Sequence, residues 1–305
     1  MVTLTAVNSC QNDANKVLLW TEIPLDKNSG DNGGGCTKQQ LGERIQNGHS
    51  LIVIPPCSDN PIITANECEK LIADCTNFAA TSEPTDFETV GRRRLPTQRA
   101  VNAVAAAAAA AAAQYCNNTP CGDALPDHIE AVVEDILQRT TQFIDQHLSM
   151  LVPVLFDATT TKTTPKKSSL TEYLIEEQLK FASREPAINI YTKGGEFAAH
   201  QDDESLTVLI PLSSSPEDYE GGGTAYWSKT DAKRNRSNRR NSNDNSNNND
   251  DGDMPAPTLV LKPPAGTVIL FGGCVTHAGR PVLEGKRVVL VASFSLQTEE
   301  DEMPW

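Results

Sequence analysis

Long hydrophobic runs are missing from this chain of 305 residues: no stretch of 18 strongly apolar side chains occurs. The alanine run at 105–113 is too short and too weakly apolar to span a bilayer, so no membrane partner is expected. The opening MVTLTAVNSCQNDANK lacks a basic cluster followed by an apolar stretch. No secretory leader is therefore expected, and the expected compartment is the cytoplasm. An N-terminus lying further upstream would leave the endoplasmic reticulum open. CxxC pairs are absent among the eight cysteines, which excludes a zinc ribbon. Cys116 and Cys121 flank a Pro/Gly turn and could pair in an oxidising compartment; a reducing one keeps them as thiols. Basic residues are short of acidic ones, 26 against 40, for a formal net charge of −14. Such a field repels phosphate backbones, so nucleic acid is not an expected partner, whereas a basic or neutral peptide is tolerated. Internal repeats are absent too, and the 38% of hydrophobic residues is low for a fully packed chain, which implies loop or disorder.

Two halves differ in pattern. Residues 1–60 read as a partly loose N-terminal segment, interrupted by SGDNGGG at 29–35, with one short element near Val17–Trp20 and a strand at Leu51–Ile54. Residues 61–185 read as a helical support region. Thr64 with Glu67 three residues on forms a capping box ahead of a helix. An alanine-rich helix is expected over 99–115, and Ile129, Val132, Val133, Ile136, Leu137 and Ile144 space a further helix from Pro126 to about Leu151. Another helix is expected over 170–182, and Arg92–Arg94 read as a basic loop.

From residue 186 the pattern turns to short strands: Ile188–Tyr191, Leu206–Leu212, Thr224–Trp227, Thr258–Leu261, Thr267–Phe271 and Arg287–Ser295. Gly, Pro and Ser clusters separate them, as in an antiparallel sandwich or barrel. Residues 231–253 are almost free of apolar side chains and read as a disordered surface insertion; 298–305 read as a loose acidic tail.

Only five histidines occur, and His200 and His277 have informative neighbours. Strand side chains alternate faces, so His200 and Asp202 point the same way and can meet one metal ion. By itself that spacing is weak evidence. His277 follows an apolar strand and can arrive at the same ion from a distant stretch. Two imidazoles and one carboxylate on one face leave positions open, the facial arrangement of oxygen-activating iron(II) sites. Arg287, ten residues on, can pair bidentately with the far carboxylate of a dicarboxylic acid, while Lys286 takes the opposite face. His49, His128 and His147 read as ordinary surface residues, and Cys274 as a packed thiol.

Five ordered stretches then resemble one family. YTKGGEFAAHQD (191–202) is similar to the Y-x-x-G-G-x-F/Y-x-x-H-x-D segment of prolyl 4-hydroxylase-type Fe(II)/2-oxoglutarate-dependent dioxygenases. LTVLIPL (206–212) resembles the strand that follows it, and GGGTAYW (221–227) resembles the family's G-G-x-T-x-F turn and strand. KPPAGTVILF (262–271) resembles its K-P-x-x-G-x-A-L-x-F strand, and HAGRPVLEGKR (277–287) its H-x-x-x-P-V-x-x-G-x-K segment. Arg287 stands where collagen-type members carry Lys, Val288 replaces a common aromatic residue, and the insertion stretches the gap from Asp202 to His277 to 75 residues.

The resemblance implies an α+β fold, a double-stranded β-helix (jelly-roll) core over 186–297 with preceding packing helices. It implies that His200, Asp202 and His277 hold Fe(2+), and that Arg287 and Tyr191, with Thr207, bind 2-oxoglutarate. L-ascorbate is expected to keep the iron reduced. The implied activity is hydroxylation of a protein or peptide substrate at prolyl residues, with O2 consumed and 2-oxoglutarate converted to succinate. Two alternatives stay open: the same chemistry on a small molecule or free amino acid, and a non-catalytic metal-binding jelly-roll module. The oligomeric state is not legible.

Overall fold

The computed structural model describes residues 19–26, 38–56, 61–82, 89–102, 124–156, 169–232 and 255–297. The alanine run, Cys116, Cys121, the acidic tail and all of the insertion beyond Ala232 lie outside the described residues. Among the described residues no helix is long and apolar enough to cross a membrane.

The architecture is α+β, a jelly-roll sandwich with helices laid on one outer face. The strands of the larger sheet are β1 (Thr21–Pro24), β2 (Ser50–Ile54), β3 (Arg92–Pro96), β4 (Leu179–Phe181), β5 (Ala187–Tyr191), β7 (Leu206–Pro211), β11 (Val268–Phe271) and β14 (Arg287–Leu296). Their order is β1-β2-β11-β7-β14-β5-β3, with β4 on the far end of β14. The smaller sheet runs β10 (Leu259–Leu261), β9 (Thr224–Trp227), β12 (Thr276–Gly279), β6 (Phe197–His200). A pair, β8 (Tyr219–Gly221) with β13 (Val282–Gly285), stands beside them. Every named strand pairing is antiparallel, and the larger sheet ends at β1 and β3 instead of closing.

Strand alternation divides the larger sheet cleanly. Even-numbered residues on its central strands, including Ile52, Ile188, Ile190, Val208, Ile210, Val268, Leu270, Val288 and Leu290, pack against the helices. Odd-numbered Leu51, Val53, Tyr191, Leu209, Ile269, Phe271 and Val289 face the smaller sheet. Each of the larger aliphatic side chains so buried contributes roughly 1.5–3 kcal/mol. Thr207, Arg287 and Ser293 fall on the odd, inward face, and all three are buried. The same alternation sends Lys286 outward, to Thr76.

The helical layer is built on i, i+3/i+4 stripes. Helix α2 (Ala65–Thr81) buries Cys68, Leu71 and Cys75, and its capping box between Thr64 and Glu67 is fully formed. Helix α3 (Asp127–His147) buries Ile129, Val133, Ile136, Leu137 and Ile144, with Asp127 and Glu130 in its first turn favourable to the helix dipole. Short helices α4 (Leu151–Phe156) and α5 (Leu170–Ile175) complete the layer.

Two expectations are corrected below, and the N-terminal segment holds more order than the one short element and strand expected of it. It contributes β1 and helix α1 (Lys38–Gln46), whose Leu41 and Ile45 are buried one turn apart. Glycine at 42 lets α1 approach Val154 of α4, where a Cβ would lie 2.9 Å from Val154 Cγ2. Arg92–Arg94 form strand β3, not a loop: Arg92 pairs with Tyr191 and Arg94 with Asn189. The helix expected over 170–182 stops at Ile175. Glu177 takes a left-handed φ of 56°, and Leu179–Phe181 then pair with β14 as β4.

Candidate active site

His200 ends β6 and His277 lies in β12, and the two are direct cross-strand partners. Strand β12 was missed in the sequence because Gly and Thr dilute its pattern. The rings stand 4.3 Å apart, inclined at 50°. Asp202 lies two residues beyond the end of β6. Its Oδ1 lies 3.2 Å from His200 Nε2 and its Oδ2 3.7 Å from His277 Nε2. One donor atom from each residue falls within 4.8 Å of the others, and among the described residues this is the one His/Cys/Asp/Glu group so arranged. Donors about 2.1 Å from an octahedral ion stand about 3 Å apart at adjacent vertices. The observed spacings fit one ion.

The tautomers suit ligation. His200 Nδ1 lies 2.9 Å from Ala198 O and His277 Nδ1 3.1 Å from Val275 O. With each Nδ1 turned to a backbone carbonyl, Nε2 of both rings faces Asp202 and is the atom offered to a metal. Burial holds the His277 imidazole down at about 4, so it is neutral at physiological pH. Burial pushes the Asp202 carboxyl up. The hydrogen bond to His200, the charge that His277 gains below about 4 and the Thr207 hydroxyl outweigh it and hold the group at about 2.

Backbone stitching fixes the Asp202 loop. Asp202 N–H donates to Gly273 O and Gly273 N–H to Glu204 O, both at 3.1 Å. A Cβ on Gly273 would sit 2.0 Å from Glu204 O, so only glycine permits this approach. Gln201 Nε2 donates to Cys274 O at 2.7 Å. Beneath the carboxylate, Thr207 Oγ1 donates to Asp202 Oδ2 at 2.5 Å and lies 3.2 Å from Ser293 Oγ. Ser293 N–H in turn donates to Glu185 Oε2 at 2.5 Å, and Arg94 Nη2 to Glu185 Oε1 at 2.8 Å. Thr207 therefore supports the acid directly, a contact the motif likeness does not specify.

Arg287 begins β14 opposite Tyr191 and is 3% exposed. Its guanidinium lies 5.1 Å from the Tyr191 ring centroid, and Nη2 donates to Thr224 Oγ1 at 2.8 Å. The Tyr219 hydroxyl is hydrogen-bonded to it; burial nevertheless raises that phenol's pKa. Glycine at 222, with φ of 56°, leaves room: a Cβ there would meet the Tyr219 ring at 2.8 Å and Arg287 Cδ at 3.2 Å. No carboxylate pairs with Arg287 among the described residues, and its Nε is buried without a partner. A cation enclosed without an anion is costly, and it marks a place for a ligand's negative charge. Gly279, two residues past His277, would bring a Cβ to 3.5 Å from Arg287 Nη1. That places the cation about 7 Å along the strand from the His277 position.

Tyr226 pairs with His277 across β9 and β12, and its ring stacks on the imidazole at 6.3 Å and 28°. It is fully buried, and its hydroxyl lies near Thr224 without a hydrogen bond of good geometry. Phe271 packs edge-on to both Tyr226 and His277. At the open side, Phe197 meets His200 edge-on at 4.3 Å, and Arg92 lies 4.2 Å over Phe197, bridging β3 and β6. Arg93 and Arg94 are engaged with Ser82 and Glu185. Among the residues not singled out in the sequence, Thr224 and Tyr226 lay inside GGGTAYW. Tyr219, Glu185 and Ser293 carried no local signal. His49 pairs with Asp26, and neither His128 nor His147 joins the site.

Residues 186–294 match the family model described as the 2OG-Fe(II) oxygenase superfamily. The chain is similar to an oxidoreductase of the 2OG-Fe(II) oxygenase family from Burkholderia pseudomallei, 18% identical with a TM-score of 0.43, over 86% of this chain and 91% of that one. It is also similar to HygX from Streptomyces hygroscopicus with nickel and 2-oxoglutarate bound, 16% identical with a TM-score of 0.43, over 85% and 87%. A Pseudomonas putida prolyl-4-hydroxylase is 14% identical with a TM-score of 0.39, over 86% and 100%. No curated protein matches the chain.

Proposed function

We propose that the protein is an Fe(II)- and 2-oxoglutarate-dependent dioxygenase in which His200, Asp202 and His277 hold the iron and Arg287 grips the far carboxylate of 2-oxoglutarate. The observation that carries this reading is the pairing of two features between the same two sheets. Three metal donors converge at 3.2 and 3.7 Å spacings, and a buried guanidinium nearby has no carboxylate partner. The donor set, two imidazoles and one carboxylate, suits ferrous iron with positions left open. Match of residues 186–294 to the superfamily model supports the same chemistry.

When bound, iron and 2-oxoglutarate supply oxygen activation coupled to loss of CO2 from the co-substrate. The chain's own residues do the rest. Ala198 O and Val275 O orient the two imidazoles, and Thr207 holds Asp202 in place. Phe271 and the Tyr226 ring close the buried flank against water. Arg287, with Thr224 and the Tyr191 ring behind it, sets the depth to which a five-carbon diacid enters. The side of His200 stays open past Phe197, and the substrate approaches there. Its class is a peptide or protein hydroxylated at prolyl residues, a reading that rests on the five motif likenesses, with ascorbate as the reductant in vitro.

The test is succinate release from 2-oxoglutarate with Fe(II) and ascorbate. Release is expected from the unaltered chain and abolished by His200→Ala; no release, or no stoichiometric iron uptake, overturns the proposal. Proline-rich peptides screened for a gain of about 16 Da, one oxygen atom, test the substrate class separately.

A further inference from the structure

The Tyr226 hydroxyl has no evident structural purpose. It is buried and unpartnered at the wall between the metal donors and Arg287. A buried hydroxyl without a partner destabilises the fold, and phenylalanine would fill the same volume without that cost. The motif that GGGTAYW resembles carries phenylalanine at this position.

Registry indicates what the hydroxyl faces. Thr224 and Tyr226 alternate inward on β9, while Ala225 and Trp227 pack on the opposite side. Thr224 stands opposite Gly279 and accepts from Arg287. Because Thr224 Oγ1 accepts there, its own proton stays free to be donated. Tyr226 stands opposite His277. Its hydroxyl feels the charges of both Arg287 and Asp202. Arg287 Nε and the Tyr226 hydroxyl are two buried donors without a hydrogen bond, and Thr224 Oγ1, which accepts from Arg287 Nη2, lies near both.

The geometry points to Tyr226 as a further co-substrate-binding residue, whose hydroxyl donates to the far carboxylate of the bound diacid beside Arg287. This rests on the functional reading above. It makes the cradle a charge-assisted set of donors, tighter for a diacid than a lone guanidinium.

The experiment is calorimetric titration of 2-oxoglutarate into the full chain loaded with Mn(II), for the unaltered protein and Tyr226→Phe. The mono-acid 2-oxopentanoate, of equal length but without the far carboxylate, is titrated in parallel. Expected for Tyr226→Phe is a loss of about tenfold in 2-oxoglutarate affinity, equivalent to about 1.4 kcal/mol. No loss for 2-oxopentanoate and an undiminished melting temperature of the free protein are also expected. Equal 2-oxoglutarate affinity in the two proteins overturns the inference and leaves the functional reading standing. An equal loss for both ligands also overturns it, because the hydroxyl then serves the keto-acid end. A lowered melting temperature with unchanged affinity overturns it in favour of a packing role. Failure of the unaltered protein to bind 2-oxoglutarate removes the functional reading and the inference together.

Discussion

Replacing Thr207 by valine separates two roles for that residue. Valine keeps the shape and removes one hydroxyl from a position that is fully buried, so no bulk water can take its place. The lost contact is the 2.5 Å hydrogen bond to Asp202 Oδ2. A hydrogen bond to a charged group contributes roughly 1.5–3 kcal/mol. Partners of this kind beneath a metal ligand are worth about 10- to 100-fold in metal affinity. The expected outcome is therefore a weakening of Mn(II) or Fe(II) binding by that factor. Affinity for 2-oxoglutarate at saturating metal should stay within about twofold, well under the tenfold that 1.4 kcal/mol represents. Titration calorimetry of metal into the free chain, then of 2-oxoglutarate into the loaded chain, reads both quantities. Unchanged metal affinity with weakened 2-oxoglutarate binding would refute the reasoning and assign Thr207 to the co-substrate.

Arg287→Met should abolish measurable 2-oxoglutarate binding. It should leave the free protein's melting temperature equal or higher, because an enclosed cation without an anion is removed; calorimetry and thermal denaturation check the two halves. Acidification should destabilise the metal-free protein. His277 is held at about 4 against an ordinary 6.5, so the unfolded chain binds the proton first and stability drops as pH falls through that window. The loss is on the order of 3 kcal/mol, and a His277→Gln chain should show a flatter profile of melting temperature against pH. Cys68 and Cys75, both pushed up to about 12 chiefly by burial, should stay unlabelled by a thiol reagent at pH 8 until the chain is unfolded.

Much of the site was legible because its signals are local. His200 and Asp202 are two apart, and His277 and Arg287 sit in a recognisable run, so spacing alone suggested which side chains share a face. Strands β5, β7, β9 and β11 were legible from their apolar runs. What escaped depends on distant partners. Arg92–Arg94 look like a solvated cluster, yet β5 lends them a sheet edge and Glu185 and Phe197 receive two of them. The segment around Glu172–Lys180 favours a helix by composition, and pairing with β14 overrides that preference. Tyr219 and Glu185 reach the site only through folding. A charge partner in space leaves no periodic trace in the chain.

The odd-even division of the larger sheet has an evolutionary consequence. Side chains of the proposed binding site and side chains that anchor the helices occupy interleaved but opposite positions on the same strands. A change at 207, 287 or 293 alters binding chemistry while 208, 288 and 292 keep the helical backing in place. Descendants of such a chain can vary the inward face without first rebuilding the scaffold that makes them fold.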